Sequence, residues 1–190
     1  MTRDDILEAA AAIFSQKGYH ATSMQDIAQA VHLQKASLYH HVSGKQEILL
    51  AILDQALDLL IDNMERVMAQ ALPPREKLRL GVRTYLKEIL EHRELASVLL
   101  LEHRSLNAEL QAQHIQRRDR FEYLWRELIQ SGVDAGCFHC LDIAITVQAL
   151  LGVLNWTITW YQPSGKYNSV QLADQYVDVF LQGLLNEKVH

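Results

Sequence analysis

Two sets of side chains in this sequence could take part in metal or redox chemistry. Two thiols and an imidazole lie together in the run Cys137-Phe138-His139-Cys140, which could form part of a zinc site or a redox pair. A full tetrahedral zinc site needs a further ligand. His92, His103 and His114 recur every 11 residues, but 11 residues of helix span about 16 Å, too far for a shared metal. We therefore predict that no metal is bound, and the role of Cys137, His139 and Cys140 stays open.

Motifs for enzyme chemistry are missing from the sequence. It contains no G-x-S-x-G turn for a nucleophile, no Gly-rich phosphate loop and no H-E-x-x-H pair. We therefore predict a protein that is not an enzyme and that carries no cofactor.

A third set of side chains, between Thr22 and Lys45, has hydroxyl, amide and ammonium groups that match phosphate oxygens and base edges of DNA. The whole chain has a formal charge of −5, which is not typical of a nucleic-acid binder. From His20 to Lys45, two lysines (Lys35 and Lys45) oppose one carboxylate (Asp26), so the local formal charge is +1. Nucleic-acid binding by this segment would therefore depend on geometry more than on charge.

The elements that position this segment are short helices. Apolar residues at helical spacing predict a first helix from Asp4 to Lys17, ended by Gly18. Either Thr22 or Ser23 can cap a second helix that runs to about Ala30, since each has a suitable partner three residues later. A third helix is predicted over 34–40, with Leu38 inward. This order predicts a helix-turn-helix, although a small three-helix bundle without that function has the same pattern.

The remaining 140 or so residues also read as helices. Ser43, with Gln46 three residues on, is predicted to cap a long fourth helix that reaches Pro73, about 42 Å at 1.5 Å per residue. Five further helices are expected at about 75–91, 95–105, 108–131, 142–161 and 170–185, with Gly132 and Gly136 bracketing a loop. The expected fold is all-α with about nine helices, divided into domains 1–46 and 47–190.

Composition favours a cytoplasmic location. Two cysteines are too few for the disulfide framework of a small secreted domain. The N-terminus has no apolar signal block, and no run of 18 apolar residues occurs. We therefore expect a soluble, cytoplasmic protein without a membrane partner.

The first 50 or so residues resemble the TetR/AcrR family of bacterial repressors. The resemblance rests on Ile6-Leu7-Glu8-Ala9-Ala10, Phe14, Gly18-Tyr19, the run 22–28, the run 35–41 and Lys45-Gln46-Glu47. Ala36 stands where the family usually has Gly, and Val42 where it usually has Phe, so the approach of the third helix to DNA is expected to differ slightly. The resemblance implies a ligand-binding and dimerising domain in the rest of the chain.

The resemblance also implies a set of DNA contacts. For Tyr39, a ring packed between helices is an alternative to a phosphate contact. The implied phosphate contacts are Thr22, Ser23, Tyr39 and Lys45, the implied base contacts are Gln34, Lys35, Ser37 and His40, and Ala36 lies among them.

The effector of such a repressor would bind among the C-terminal helices. The stretch Asn155-Trp156 and Trp160-Tyr161, followed by 162–165, resembles family members that respond to acyl-CoA thioesters. Another aromatic or apolar molecule, such as a drug or an aryl-CoA, is the alternative. The predicted pocket-lining side chains, most of which would also serve as core, are Tyr85, Ile89, Val98, Leu99, Phe121, Leu124, Trp125, Leu151, Asn155 and Trp156. The predicted partners for CoA phosphates are Arg104, Arg117, Arg118 or Arg120, for which a solvated helix face is the alternative.

The last two helices are predicted to form a homodimer interface. The alternative is that they close the core of a monomer. The apolar stripes concerned are Val147, Leu150, Leu151, Leu154 and Ile158 on one helix and Tyr176, Val177, Phe180 and Leu184 on the other. The expected protein is thus a homodimeric repressor that binds a palindromic operator in double-stranded DNA and is released by a hydrophobic effector. A helical adaptor that binds another protein is the remaining alternative.

Overall fold

The computed structural model describes residues 2–140 and 142–182. Within these ranges every regular element is helical and no strand is present, so the predicted all-α class is confirmed. The helices are α1 (Arg3–Lys17), α2 (Met24–Ala30), α3 (Lys35–Leu38), α4 (Lys45–Met68), α5 (Pro74–Glu91), α6 (Arg93–Leu101), α7 (Ala108–Asp134), α8 (Ile143–Trp160) and α9 (Ser169–Gln182), with a 3-10 turn at His103–Ser105.

The chain forms two compact units. The first contains the residues up to Leu59 together with His92–Asp119, and the second contains Leu60–Glu91 together with the residues from Arg120 onward. Helices α4 and α7 contribute to both units because each division falls inside a helix.

Local sequence signals set the ends of the first helices. Ser23 caps α2: its hydroxyl accepts from the Asp26 N–H, and the Asp26 carboxylate accepts from the Ser23 N–H. Of the two caps that the spacing allowed, Ser23 is therefore the one used. Helix α1 ends as predicted at Gly18, which has φ of +84° and donates its N–H to the Phe14 carbonyl.

The predicted pairing of Ser43 with Gln46 at the start of α4 is wrong. The helix begins at Lys45, and the Ser43 N–H donates to the carboxylate of Glu47, while Gln46 turns its side chain toward other elements. Helix α4 also ends at Met68, before Pro73, so its 24 residues span about 36 Å. The side chain of Lys77 donates to the Met68 carbonyl, which compensates one of the unpaired carbonyls at this end.

The predicted loop after α7 begins later than expected. Gly132 lies inside α7, and the ring of Phe138 packs so closely on it that a Cβ would overlap the ring carbons. The Gly132 carbonyl accepts from the N–H groups of Cys137 and Phe138, and Gly136 with φ of +66° makes the reversal possible. Gly132 therefore makes room for the ring of Phe138 from the following loop, and Gly136 serves the turn.

Each unit has its own apolar core. In the first, α1 packs against α6 and α2, with side chains such as Ile6, Phe14 and Ile27 fully buried. In the second, α5 packs against α9 and α8 around Leu86, Trp125 and further buried residues.

Helix α8 is the most apolar element of the second unit. It carries no charged residue, and its 18 residues have a mean hydropathy of 1.4, so its length and composition would allow it to cross a membrane. Only 28% of this span is buried. Much of an apolar helix therefore remains uncovered by the described chain.

Candidate nucleic-acid interface and ligand cavity

Helix α3 presents a polar surface around one buried anchor. Leu38 is fully buried, as predicted, whereas Gln34, Lys35 and His40 are exposed. Ala36 is also exposed and Ser37 is half-buried. The helix is shorter than predicted because it ends at Leu38, but the N–H groups of His40 and His41 still bond to the carbonyls of Ser37 and Leu38. The candidate base-reading side chains are therefore displayed together.

The turn between α2 and α3 depends on one residue in the left-handed region. His32 has φ of +54°, its N–H donates to the Gln29 carbonyl, and the next N–H, of Leu33, donates to the Ala28 carbonyl. His32 is exposed, as is usual for a residue in a turn. The turn is compact enough to set α3 against the end of α2.

The predicted phosphate contacts divide into two pairs. Ser23 and Tyr39 are open to solvent, with the Tyr39 side chain 48% exposed, so the alternative of a ring packed between helices does not describe it. Thr22, by contrast, is only 2% exposed, and its hydroxyl donates to the Gly18 carbonyl. The Lys45 ammonium donates to the carbonyls of Tyr19 and Thr22 at 2.9 and 2.7 Å and lies 4.3 Å from the centre of the Tyr19 ring.

Thr22 and Lys45 therefore form hydrogen bonds within the protein, and these bonds fix the connection between α1 and α2. A lysine ammonium has three donors, and two of those on Lys45 are used in this way. The sequence pattern did not reveal these roles because both depend on backbone carbonyls.

A cluster of hydrogen bonds, here called the polar hub, joins this connection to the α6–α7 region. It consists of Tyr19, Lys45, Gln46, Glu102 and Ser105. The Gln46 amide donates to the Tyr19 hydroxyl and to the Ser105 carbonyl, both at 2.8 Å, and its oxygen accepts from the Asn107 N–H at 2.9 Å. The side-chain amide of Gln46 therefore faces protein groups on both its nitrogen and its oxygen.

Glu102 completes the polar hub from the end of α6. One carboxylate oxygen accepts from the Tyr19 N–H at 3.1 Å, and the other accepts from the Ser105 hydroxyl at 3.1 Å. The Ser105 hydroxyl also lies 3.2 Å from a ring nitrogen of His20. Burial raises the pKa of the Tyr19 hydroxyl, and the bond from Gln46 opposes that shift. Glu102 and Ser105 were not predicted from the sequence, since no local pattern connects them with residue 19.

The histidines do not assemble a metal site among the described residues, where no group of three potential ligands occurs. His114 is buried and pairs with Asp54 of α4 at 3.1 Å. The pKa of His103 is lowered, first by burial and then by Arg104. Cys137 and Cys140 are free and half-buried.

A small cavity lies inside the second unit. Its volume is about 10 Å³, close to the space that one water molecule needs. Its lining residues are Leu60, Asn63, Met64, Gly81, Thr84, Tyr85, Phe121 and Trp125. Three of the predicted pocket residues, Tyr85, Phe121 and Trp125, therefore meet here. Gly81 of α5 also lines the cavity, so a lone glycine inside a helical pattern was a sequence signal for this site.

Three aromatic rings form one side of this cavity. The rings of Tyr85 and Phe121 are stacked with centres 5.7 Å apart, and Trp125 meets both edge-on at 6.0 and 6.4 Å. The Tyr85 hydroxyl donates to the side-chain oxygen of Asn155, and full burial raises its pKa. Asn155 thus belongs to this aromatic cluster through Tyr85, one layer behind the cavity.

The other predicted pocket residues lie elsewhere. Ile89 and Leu124 are buried in the second unit but do not line the cavity, and Leu151 is half-buried. Val98 and Leu99 belong to the first unit. The inward position predicted for Trp156 is wrong, since this ring is 66% exposed.

The predicted phosphate-binding arginines also differ from one another. Arg117 pairs with Asp54 at 3.0 Å and with Asp58 at 2.9 Å. Arg120 pairs with Glu65 at 2.7 Å, whereas Arg104 and Arg118 are exposed. Arg117 and Arg120 therefore lie on a helix face, as the alternative predicted, where carboxylates are their partners.

The apolar stripes of α8 and α9 that were predicted to meet a second copy face the inside of the second unit, fully or in part. Val147, Leu150, Leu154, Ile158 and Val177 are buried within the second unit, while Leu151, Tyr176 and Phe180 are half-buried and Leu184 lies outside the described residues. The stripe expected to meet a partner therefore closes the unit's own core. A different set is exposed on one side of α8, here called the outer apolar face: Ile145, Val153, Trp156 and Trp160. Val170 and Val179 of α9 are exposed as well.

Comparisons with known proteins agree with this architecture. Residues 6–52 match the profile of bacterial regulatory proteins of the tetR family, and residues 71–184 match the tetracyclin repressor-like C-terminal domain. The chain is 29% identical to the HTH-type transcriptional repressor KstR2 of Mycolicibacterium smegmatis over 96% of this chain and 90% of that protein.

Two solved structures are similar over nearly the whole chain. The TetR-family regulator PfmR from Thermus thermophilus is 39% identical with a TM-score of 0.87, covering 95% of this chain and 99% of PfmR. AibR, solved with isovaleryl coenzyme A and operator DNA, is 31% identical with a TM-score of 0.86, covering 94% of this chain and 97% of AibR. Taken with the helix-turn-helix geometry, these matches mean that the chain belongs to the TetR family of transcriptional regulators.

Proposed function

We propose that this regulator is a repressor that leaves its operator when an acyl-CoA thioester binds in the second unit. The observation that carries the proposal is the similarity to AibR, whose structure holds both isovaleryl coenzyme A and operator DNA. The apolar cavity walled by Tyr85, Phe121 and Trp125 supports it, because an acyl chain needs an apolar environment.

On the DNA side, α3 enters the major groove. Gln34, Lys35, Ser37 and His40 read base edges, and the small, exposed Ala36 among them allows a close approach. Ser23 and Tyr39 contact phosphates directly. Lys45 adds its third ammonium proton, while Thr22 holds the backbone from which these contacts are made. Residues 1–46 form the DNA-binding domain in this proposal, and residues 47–190 form the ligand-binding and dimerisation domain.

A homodimer forms through the outer apolar face. Exposed clusters of large apolar side chains, such as Trp156 and Trp160, are typical of protein contact surfaces. A second copy with the same face would cover them by twofold symmetry. Two α3 helices would then meet half-sites of a palindromic operator about 34–36 Å apart.

The size of the cavity supports a ligand-dependent change of conformation. A space of about 10 Å³ cannot hold an acyl chain, so a ligand must expand it. Helix α5 lines the cavity with Gly81 and Tyr85 and, at neighbouring positions, pairs Arg79 and Arg83 with carboxylates of α9. A displacement of α5 would therefore be passed to α9. The ligand lowers operator affinity because it binds the expanded state better.

The experiment is a titration of the protein bound to a fluorescent DNA fragment from its own upstream region. Isovaleryl-CoA and palmitoyl-CoA are the short and long test ligands, with free coenzyme A as the control. We expect release of the DNA at micromolar concentrations of at least one thioester and none with free coenzyme A. Unchanged DNA affinity with both thioesters would contradict the acyl-CoA proposal, and absence of any specific DNA complex would favour an adaptor that binds protein.

A second effector class is favoured by the aromatic wall of the cavity. Three rings within 6.4 Å of one another would stack well on an aromatic drug or an aryl-CoA. Benzoyl-CoA in the same titration distinguishes this class. In either case the family of DNA-binding regulators supports a cytoplasmic location.

A further inference from the structure

One buried hydrogen-bond donor in the cavity wall has no protein partner. Trp125 has no exposed surface, and among the residues that the structure describes, its indole N–H is the buried side-chain polar atom that lacks a hydrogen bond. Leaving such a donor unpaired is unfavourable, so buried donors in native proteins nearly always have a partner. Because Trp125 lines the cavity, its unpaired N–H points to a ligand that enters the expanded cavity as its partner.

The neighbouring polar groups are already engaged. The Tyr85 hydroxyl donates to Asn155. The Asn63 amide donates to Glu88 at 2.7 Å, and its oxygen accepts from Arg66 at 3.0 Å. The Thr84 hydroxyl also belongs to the lining, but that residue is partly exposed, so the indole N–H is the fully buried donor that a ligand in the expanded cavity could bond without breaking an existing contact.

The chemistry of the wall limits what that ligand group can be. An indole N–H only donates, so the group must be an acceptor. None of the lining residues is a cation, and an unneutralised carboxylate or phosphate would be strongly unfavourable in this apolar space. A neutral carbonyl oxygen satisfies both conditions.

We propose that the indole N–H of Trp125 donates a hydrogen bond to the thioester carbonyl of the effector. This inference rests on the proposed function, and it assigns Trp125 as the residue that distinguishes acyl thioesters from apolar compounds without a carbonyl. Recognition then combines apolar contacts to the acyl chain with one directional hydrogen bond to the thioester carbonyl. A competing explanation is a weak contact of the N–H with the face of a neighbouring ring, since Trp125 lies nearly perpendicular to Tyr85 and Phe121.

The test compares two ligands that differ in the carbonyl alone. Isovaleryl-CoA and its thioether, S-isopentyl-CoA, are titrated into the operator complex, and palmitoyl-CoA and S-hexadecyl-CoA form a second pair. For the wild-type protein we expect half-release at a roughly 10-fold lower concentration of the thioester, the effect of one buried hydrogen bond. In W125F the ratio within the pair should fall to about 1.

The ratio is informative because a general loss of stability changes the response to both ligands alike. As W125F also leaves a smaller ring in the core, 3-benzothienylalanine at position 125 provides a second variant, which keeps the ring shape and replaces the N–H by sulfur. The same ratio of about 1 is expected. A ratio in both variants equal to that of the wild type would overturn the assignment and favour the ring-face contact.

Failure of the proposed function gives a different result. If the wild-type protein binds the operator but no member of either pair releases it, the acyl-CoA proposal fails and the Trp125 assignment fails with it. If the wild type responds to thioester and thioether equally, the acyl-CoA proposal stands in part and the Trp125 assignment alone is wrong.

Discussion

Both units have apolar cores, but the α1–α2 connection of the first unit and the cavity region of the second are surrounded by contacts of different kinds. In the first unit, the connection between α1 and α2 is fixed by the polar hub, in which the amide of Gln46 and the carboxylate of Glu102 each meet several protein groups. In the second unit, the cavity is lined mainly by aromatic and aliphatic side chains, and one buried donor, on Trp125, is left unpaired.

The difference concerns how much each region can change shape. Hydrogen bonds depend on direction and distance, so the polar hub defines one position for the DNA-reading segment. Apolar contacts depend mainly on volume, so the cavity wall can repack around a ligand at moderate free-energy cost. In the proposed function, a rigid DNA-binding region and an adaptable effector-binding region are thus built from the same helical architecture.

The largest effect is expected from a charge on the outer apolar face. W156D would place two carboxylates in the proposed dimer contact, so we expect a monomer with operator affinity reduced more than about 100-fold, because two linked heads bind far better than one. Light scattering and DNA titration measure both. The control is I115D, since Ile115 is also exposed, at 43%, but lies on α7 in the first unit. A dimeric W156D protein would contradict the assignment of this face.

The next effect tests the rigidity of the first unit. Q46A leaves the Tyr19 hydroxyl, the Ser105 carbonyl and the Asn107 N–H without the partner they have here. We expect operator affinity to fall about 10-fold while the dimer remains intact. The matched control is Q55A, an exposed glutamine of the same helix. If Q46A loses thermal stability but keeps wild-type operator affinity, the polar hub supports folding without positioning the reading segment.

A smaller effect is expected when the cavity is filled. In G81A the new Cβ would lie 3.5 Å from Trp125 and 3.6 Å from Met64, which is ordinary contact distance. Alanine also suits a helix interior better, so we expect the free energy of unfolding to rise by about 0.5–1 kcal/mol. Release by the effector should need a roughly threefold higher concentration, because filling the cavity favours the closed state. Greater stability with an unchanged effector response would mean that ligands bind elsewhere.

The smallest effect concerns the ion pairs between α5 and α9. The pKa of Asp174 is held below its usual range, chiefly by hydrogen bonds from Arg83 at 2.7 Å. A lowered pKa stabilises the folded state while the carboxylate is ionised, and this contribution is lost as the pH falls through the lowered pKa. D174N should lower the free energy of unfolding at pH 7 by about 1 kcal/mol or less, since the pair is partly exposed.

The pH dependence separates this contribution from a packing defect. The difference between wild type and D174N should shrink as the pH falls below about 4, the ordinary range of an aspartate. D62N, at an exposed position of α4, should show no difference at either pH. A deficit in D174N that stays the same at low pH would point to packing as its cause.

Residues whose roles depend on nearby sequence were predictable. Gly18 ends α1 and Ser23 caps α2 because both roles involve partners within four residues. Leu38 is buried because it is the large apolar residue of a short helix and lies on the side that faces the core. The all-helical class followed from the same local periodicity.

Residues whose roles depend on distant partners were not predictable in this way. Gln46 fitted a cap by spacing, yet its partners come from residues 19, 105 and 107. Trp156 follows Asn155 in sequence, but successive residues in a helix point about 100° apart, so one reaches the aromatic cluster and the other faces outward. The cavity itself needs α4, α5 and α7 together, which a single-helix pattern does not define.

The side chains in and beside α3 that we propose to contact DNA bases are not used to hold the protein together. Among the described residues, those of Gln34, Lys35, Ser37 and His40 form no hydrogen bond or ion pair with the rest of the chain. Substitutions at these four positions can therefore accumulate without disturbing the contacts that hold the helix-turn-helix in place or the residues that line the cavity. If the proposed function is correct, operator preference can drift in evolution, or be exchanged by an engineer, one side chain at a time, without a change in the response to the effector.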